Sequence, residues 1–232
     1  NQVITRTANW IIGMQSKNGG WGAFDADNTH HYLNHIPFAD HGALLDPPTS
    51  DVTARCISFL SQIGHEKNLV VTKGIEFLKQ EQENDGSWFG RWGTNYIYGT
   101  WSVLTALEIA GEDSQQAYIK KAVEYLLQIQ NSDGGWGESN DSYYPPKHYR
   151  PCKSTAFQTA WVLLALLAVG EVKNTSVKKG INYLLSNQLS NGQWYDNSYT
   201  APGFPRVFYL KYHGYSKYFP LWALARYRNL LR

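Results

Sequence analysis

A chain of 232 residues allows one large domain or two small ones, and 43% hydrophobic residues suffice for a sizeable core. A net charge of +2, with basic residues scattered rather than clustered, argues against a nucleic-acid partner. Two distant cysteines, Cys56 and Cys152, argue against a disulfide framework and favour a reducing compartment, whereas 15% aromatic residues exceed what an ordinary core requires.

The chain opens in mid-helix pattern at Asn1 with no Met, as a piece of something longer would. Asn1-Gln2-Val3-Ile4-Thr5-Arg6 lacks the apolar core of a signal peptide. The first apolar stretch closes on Gln15…Gly19…Trp21. Phe24 to Pro48 reads as a long loop, of a length that is usually functional in a compact domain. Asp51 and Arg55 then stand at the i,i+4 spacing of an ordinary helical surface pair. An amphipathic helix is predicted over 72–82, ending on Gln82…Gly86…Trp88. A more apolar helix, Tyr98 to Ala110, stops at Gly111, and Asp113 with Gln116 three residues on is a candidate N-cap. Ile119 to Gln130 repeats the amphipathic pattern and closes on Gln130…Gly134…Trp136. Gly137 to Lys153 is a second long loop. Ser154 caps an apolar helix, Thr155 to Val169, which Gly170 stops. Asn174 caps Val177 to Gln188, and the last closing phrase is Gln188…Gly192…Trp194. Phe204 and Phe208 would share one face on a short helical turn, and Pro220 suits the first turn of a final helix, Leu221 to Leu231. The longest apolar run, Ala160 to Val169, has the length of a core helix and cannot span a bilayer.

Gln-x-x-x-Gly-x-Trp therefore occurs four times, at irregular intervals of about 50–70 residues. Glycine permits a positive-φ turn, the Trp can fold back on helix ends, and the Gln amide can satisfy backbone groups left open there. Gln15, Trp21, Gln82, Trp88, Gln130, Trp136, Gln188 and Trp194 thus read as structural braces. Polar helices alternating with apolar ones imply two layers. The fold class is all-α, an α/α toroid of helical hairpins, incomplete because about eight helices fall short of a closed six-hairpin ring. Strand signals are weak.

Metal readings fail, because His30-His31…His35…His41 lacks a helical pair with a glutamate between and Cys56 has no neighbouring ligands. No phosphate-binding glycine loop and no nucleophile elbow occur, so no metal and no cofactor is implied.

The repeats resemble the QW motifs of the triterpene cyclases, specifically bacterial squalene–hopene cyclases. The likeness extends through Trp21-Gly22-Ala23-Phe24-Asp25, Asn34-His35-Ile36-Pro37-Phe38, Asp46-Pro47-Pro48, Gly86-Ser87-Trp88-Phe89-Gly90-Arg91-Trp92-Gly93, Asn95 to Thr100, Ser154 to Trp161 and Gly203-Phe204-Pro205 with Phe208-Tyr209-Leu210. It implies that residues 1–232 form one C-terminal cyclase portion, with the acid-motif segment and a second helical domain upstream. Such enzymes protonate a terminal alkene with the middle Asp of an Asp-x-Asp-Asp motif. That motif is absent here, and Asp25-Ala26-Asp27-Asn28 matches a different family position. The resemblance makes Arg55 the acid's cationic partner, with Asp51 as the carboxylate beside it; some relatives carry His at Arg55.

Carbocations must be shielded from nucleophiles, and aromatic faces offer negative quadrupoles without one. By resemblance, Phe24, Trp92, Tyr98, Phe204, Phe208, Tyr212 and Tyr215 line the pocket, Phe24 standing where relatives often have Tyr. Phe38 and Ala39 map to the constriction of the substrate channel. The implied activity is protonation-initiated polycyclisation of a linear triterpene, squalene to hopene or hopanol, with this portion inactive alone. The alternatives are a protein prenyltransferase β-like subunit, for which no convincing zinc set is found, and a non-catalytic repeat scaffold. Implied partners are a squalene-like isoprenoid and a membrane surface, at the cytoplasmic face, with a homodimer as an option and no nucleic acid.

Overall fold

The computed structural model describes residues 2–38 and 44–232, without the side chains of His31 and Asn34. Ala39 and His41 lie outside the described residues. Four amphipathic helices form an outer layer: α1 (Gln2–Gly13), α3 (Leu69–Gln80), α5 (Ala117–Gln128) and α7 (Thr175–Ser186). Of these, α3, α5 and α7 each bury a single stripe at helical spacing, such as Val177, Gly180, Ile181 and Leu184 of α7, whereas α1 buries only Ala8. The inner layer is α2 (Ser50–Gln62), α4 (Tyr96–Ala110), α6 (Ala156–Ala168) and α8 (Tyr215–Leu230). Its members pack in that order, α2 on α4, α4 on α6 and α6 on α8. The two central helices are apolar on nearly every side because they have neighbours on every side. All of α6 from Ala156 to Leu167 is buried. At about 2 kcal/mol for each buried Leu, Ile or Val, these two helices dominate the core.

Each repeat phrase ties one hairpin to the next. The Gln amide Nε2 donates to the carbonyl of its own turn glycine and to a carbonyl in the first turn of the following outer helix. The pairs are Gln15 to Gly19 and Val70, Gln82 to Gly86 and Tyr118, and Gln130 to Gly134 and Ser176, all at 2.8–2.9 Å. Each indole Nε1 donates back to its own outer helix, Trp21 to Ile11, Trp88 to Leu78, Trp136 to Leu126 and Trp194 to Leu184. The backbone N–H of Trp21, Trp88 and Trp136 donates to Thr53, Thr100 and Thr159 of the adjoining inner helix. Gly19, Gly86 and Gly134 have φ of 92°, 98° and 87°. A Cβ at any of them would also strike a backbone carbonyl of the next outer helix, at Lys73, Lys121 or Lys179.

The fourth phrase is different. Gln188 donates to Gly192, and no further outer helix is present among the described residues to receive its second bond. In all four phrases the Gln lies two residues past its helix, so the outer helices stop short of the expected Gln82, Gln130 and Gln188.

Several expected details are corrected. The N-cap of α6 is Thr155, whose hydroxyl accepts from Gln158 N, whereas Ser154 donates to Asp133. Asp113 accepts from Gln115 N in a turn before α5, and the N-cap position belongs to Gln116. The expected cap Asn174, by contrast, is found at the start of α7, accepting from Ser176 N. The last helix begins at Tyr215 rather than Leu221, so Pro220 lies within it and leaves one backbone acceptor unmatched. The aromatic face of Tyr215, Phe219 and Trp222 carries the helix through that position.

Phe204 and Phe208 do not share a helical turn. They are partners across a hairpin of β1 (Ala201–Phe204) and β2 (Phe208–Leu210), with Ala201 opposite Leu210 and an irregularity between Pro202 and Phe204. Arg206, between the two phenylalanines, has a positive φ of 72°, which no right-handed helical turn contains.

Candidate active site

Asp51 occupies the first turn of α2, where helix-end N–H groups favour a carboxylate. It is fully buried. Its Oδ1 accepts from Thr49 Oγ1 at 2.6 Å and Val52 N at 3.0 Å, and its Oδ2 accepts from Trp92 N at 2.8 Å. Burial pushes its carboxyl above the ordinary value against these donors and the nearby Arg55 charge. Arg55, one turn on, does not ion-pair with Asp51. Its Nη2 donates to Ser102 Oγ at 3.2 Å, and its guanidinium lies 4.4 Å from the Trp101 ring centre and 5.8 Å from that of Tyr98. The expected direct pair fails because Thr49, Val52 and Trp92 already occupy the carboxylate, leaving Arg55 to act on it through space.

Asp51, Arg55, Phe24, Trp92 and Tyr98 line one open, mainly apolar cavity of about 490 Å³, with Ile11, Ala23, Val52 and Cys56. Phe24 and Trp92 meet edge to face at 5.8 Å. Phe24 is nonetheless 71% exposed, turned into the open side. Its loop is fixed by Asp46, whose Oδ2 accepts from Ala23 N and Phe24 N. Tyr98 is the one residue between Tyr96 and Leu107 of α4 that is not fully buried. From it an aromatic train runs to Trp161 at 5.1 Å, Tyr215 at 5.6 Å and Tyr212 at 4.9 Å. Phe204 and Phe208 contact each other at 5.6 Å on the hairpin, separately from this train. Phe38 is 88% exposed and does not line this cavity.

Residue patterns alone did not point to the support beneath these groups. Trp101 stacks on Trp161 at 5.5 Å and 6°, and Phe219 caps both. Helical spacing could have found them, since Trp101 lies three residues after Tyr98 and Phe219 four after Tyr215. The loop carrying Trp92 is held by a distant segment. Fully buried Glu138 accepts from the N–H groups of Asn95, Tyr96 and Ile97, and the Tyr143 hydroxyl donates to Gly90 and Gly93. Burial outweighs these donors and pushes the Glu138 carboxyl up to about 7. No sequence pattern joins positions so far apart. Among the described residues, no cluster of three or more His, Cys, Asp or Glu could hold a metal ion.

The site defines a class of domain in which a stack of braced helical hairpins presents an aromatic wall beside one buried acid and one cation. A family model described as squalene-hopene cyclase C-terminal domain matches residues 1–229, and the chain belongs to that family. It is 60% identical over 231 residues to a probable squalene–hopene cyclase of Sinorhizobium fredii, covering 98% of this chain and 36% of that protein. It is 61% identical over 227 residues to the squalene–hopene cyclase of Zymomonas mobilis, covering 97% and 34%. The chain thus spans about a third of the length of these relatives. Type II terpene cyclase MstE from Scytonema, with a TM-score of 0.59 at 21% identity over 87% of this chain and 53% of that one, shares the fold.

Proposed function

We propose that the chain supplies the aromatic C-terminal part of a squalene–hopene cyclase cavity, where a linear triterpene is polycyclised after protonation. The observation that carries this reading is the convergence of Phe24, Trp92 and Tyr98 with Asp51 and Arg55 on one apolar cavity. A proton delivered to a terminal alkene forms a C–H bond and leaves a tertiary cation, which each successive alkene attacks in turn. Loss of a proton, or capture of water, ends the series. Among the described residues no group suits the first step, since Asp51 already spends both oxygens on N–H and hydroxyl donors, and the sequence lacks Asp-x-Asp-Asp. The acid therefore comes from the remainder of the polypeptide. Arg55 cannot transfer a proton at neutral pH, so its part is electrostatic.

The aromatic train Tyr98–Trp161–Tyr215–Tyr212 and the Phe204–Phe208 pair then serve the later cations. Substrate reaches the cavity from a membrane surface at the cytoplasmic face, with contact supplied outside this chain. No described helix is long and apolar enough to cross a membrane. Incubation with squalene in detergent tests the reading. The complete polypeptide should yield hopene or hopanol, and residues 1–232 alone should yield nothing above the enzyme-free blank. Cyclised product from the chain alone would overturn the assignment of the acid.

A further inference from the structure

Among the described residues Arg55 is the one cation lining the apolar cavity, and Asp51 is the one carboxylate there. Thr49, Val52 and Trp92 occupy both oxygens of Asp51, so the carboxylate does not hold the guanidinium in place. The grip comes from α4 instead, where Tyr98, Trp101 and Ser102 share one helix face at i, i+3 and i+4. Ser102 Oγ accepts from Arg55 Nη2 at 3.2 Å, and the guanidinium carbon lies over the Trp101 ring, 4.4 Å from its centre. Tyr98 is farther, at 5.8 Å. Trp101 is the fixed member of this set. It is 2% exposed, stacks on Trp161 at 5.5 Å and 6°, and meets Phe219 edge to face at 5.3 Å. It does not itself line the cavity.

An indole is a costly side chain at this position. Its Nε1 is buried with no hydrogen-bond partner among the described residues, a cost that phenylalanine would avoid. What tryptophan adds is the strongest cation–π face of any aromatic side chain, and a guanidinium is the cation best suited to stack on it. Packing alone gives no reason for the indole; the Arg55 charge does. We propose that Trp101 is a positioning residue for the cyclisation, its ring holding the Arg55 guanidinium at the cavity wall as a fixed positive charge. The inference rests on the cyclase reading, in which Arg55 acts electrostatically on an acid supplied by the remainder of the polypeptide. Released from the ring, the guanidinium keeps its charge but spreads it over many rotamers toward solvent, where screening weakens its effect.

The test is a double-mutant cycle of Trp101 and Arg55 in the complete polypeptide, read by steady-state kinetics with squalene. Trp101→Leu should lower kcat by about 3- to 10-fold, as loss of one cation–π contact implies. KM should stay unchanged, because the ring lies behind the cavity wall. Trp101→Phe keeps an aromatic face and should retain most of kcat. Arg55→Gln should cost at least as much as Trp101→Leu, and adding Trp101→Leu to it should cost nothing more. Where Trp101→Leu does not fold, Trp101→Met fills the same space without a ring and should give the same non-additive result. A tryptophan that only packs against Tyr98 or Trp161 would lower kcat by the same factor with Arg55 or with Gln at that position. Such additive losses in an active enzyme overturn the proposal alone. A complete polypeptide that makes no cyclised product overturns the cyclase reading and the proposal with it.

Discussion

A carboxyl taken out of water keeps its place only where other donors replace the water, and Asp51 and Glu138 do this differently. Asp51 is held by the Thr49 hydroxyl, by Val52 N at the start of its own helix and by Trp92 N from a loop outside it. Glu138 is held by the start of a helix from another repeat. Glu138 has a folded value near 7 against an ordinary 4.5, so the folded protein binds its proton more tightly than the unfolded chain. The contribution of Glu138 to stability is therefore fully present below about pH 4.5 and is lost as pH rises through about 7, by up to about 3 kcal/mol. Glu138→Gln should remove that slope, as urea unfolding between pH 5 and 8 would reveal. A variant that parallels the parent would mean that the three N–H donors keep Glu138 ionised throughout. Phe208 offers a prediction about product. If its face steadies a late cation, cation–π attraction of about 0.5–2 kcal/mol is lost in Phe208→Ala. In the complete polypeptide that variant should release incompletely cyclised products, whereas Phe208→Tyr should keep mainly the full ring system. Gas chromatography well below each melting point decides, and an unchanged product ratio would leave Phe208 a packing residue.

At the level of elements, the repeat phrase is a hydrogen-bonded joint whose strength depends on the next outer helix. Gln130 serves its own turn and the first turn of α7, whereas Gln188 serves its own turn alone. Gln130→Ala should cost about 1–2 kcal/mol and Gln188→Ala about half of that or less, because one further bond to the neighbouring hairpin is at stake. Equal losses by urea unfolding would show the joint to be local. The same contrast explains how far the residues alone could lead. Helix identity, layer and glycine stops were legible because α4 and α6 are apolar all round while α3, α5 and α7 carry one stripe. The hairpin was not, because three- and four-residue strands carry too little alternation and Phe204 and Phe208 stand at helical spacing. Likeness to relatives named seven aromatics, of which Phe24, Trp92 and Tyr98 share one cavity and Phe204, Phe208, Tyr212 and Tyr215 do not line it. Glu138 and Arg91 were not legible, since their meaning lies in what they face across the fold, Gly203 in the case of Arg91.

For the molecule as a whole, the decisive property is that a layered array has two ends. At one end α1 buries only Ala8 and leaves Ile4 and Trp10 exposed, Trp10 by 61%. At the other end α8 packs on α6 but leaves Tyr218, Leu221 and Trp222 substantially exposed. Interior hairpins have a neighbour on each side, and the joints at Gln15, Gln82 and Gln130 are satisfied by them. Terminal hairpins in repeat folds need a polar cap or a further repeat, because nearest-neighbour contacts carry much of their stability. Neither end has such a cap among the described residues. The chain also spans about a third of its relatives' length, and those relatives therefore have ample further sequence with which to cover such faces. Residues 1–232 purified alone should therefore self-associate in a concentration-dependent manner, since contiguous exposed apolar patches seek partners. Polar substitution of the exposed pair, Trp10→Lys with Leu221→Lys, should lessen the association without lowering the cooperativity of unfolding, as neither side chain is core. Light scattering across a concentration series measures this directly. A monomer at all concentrations, melting sharply and at high temperature, would show that the hairpins are stable without further neighbours and that both ends are true surfaces.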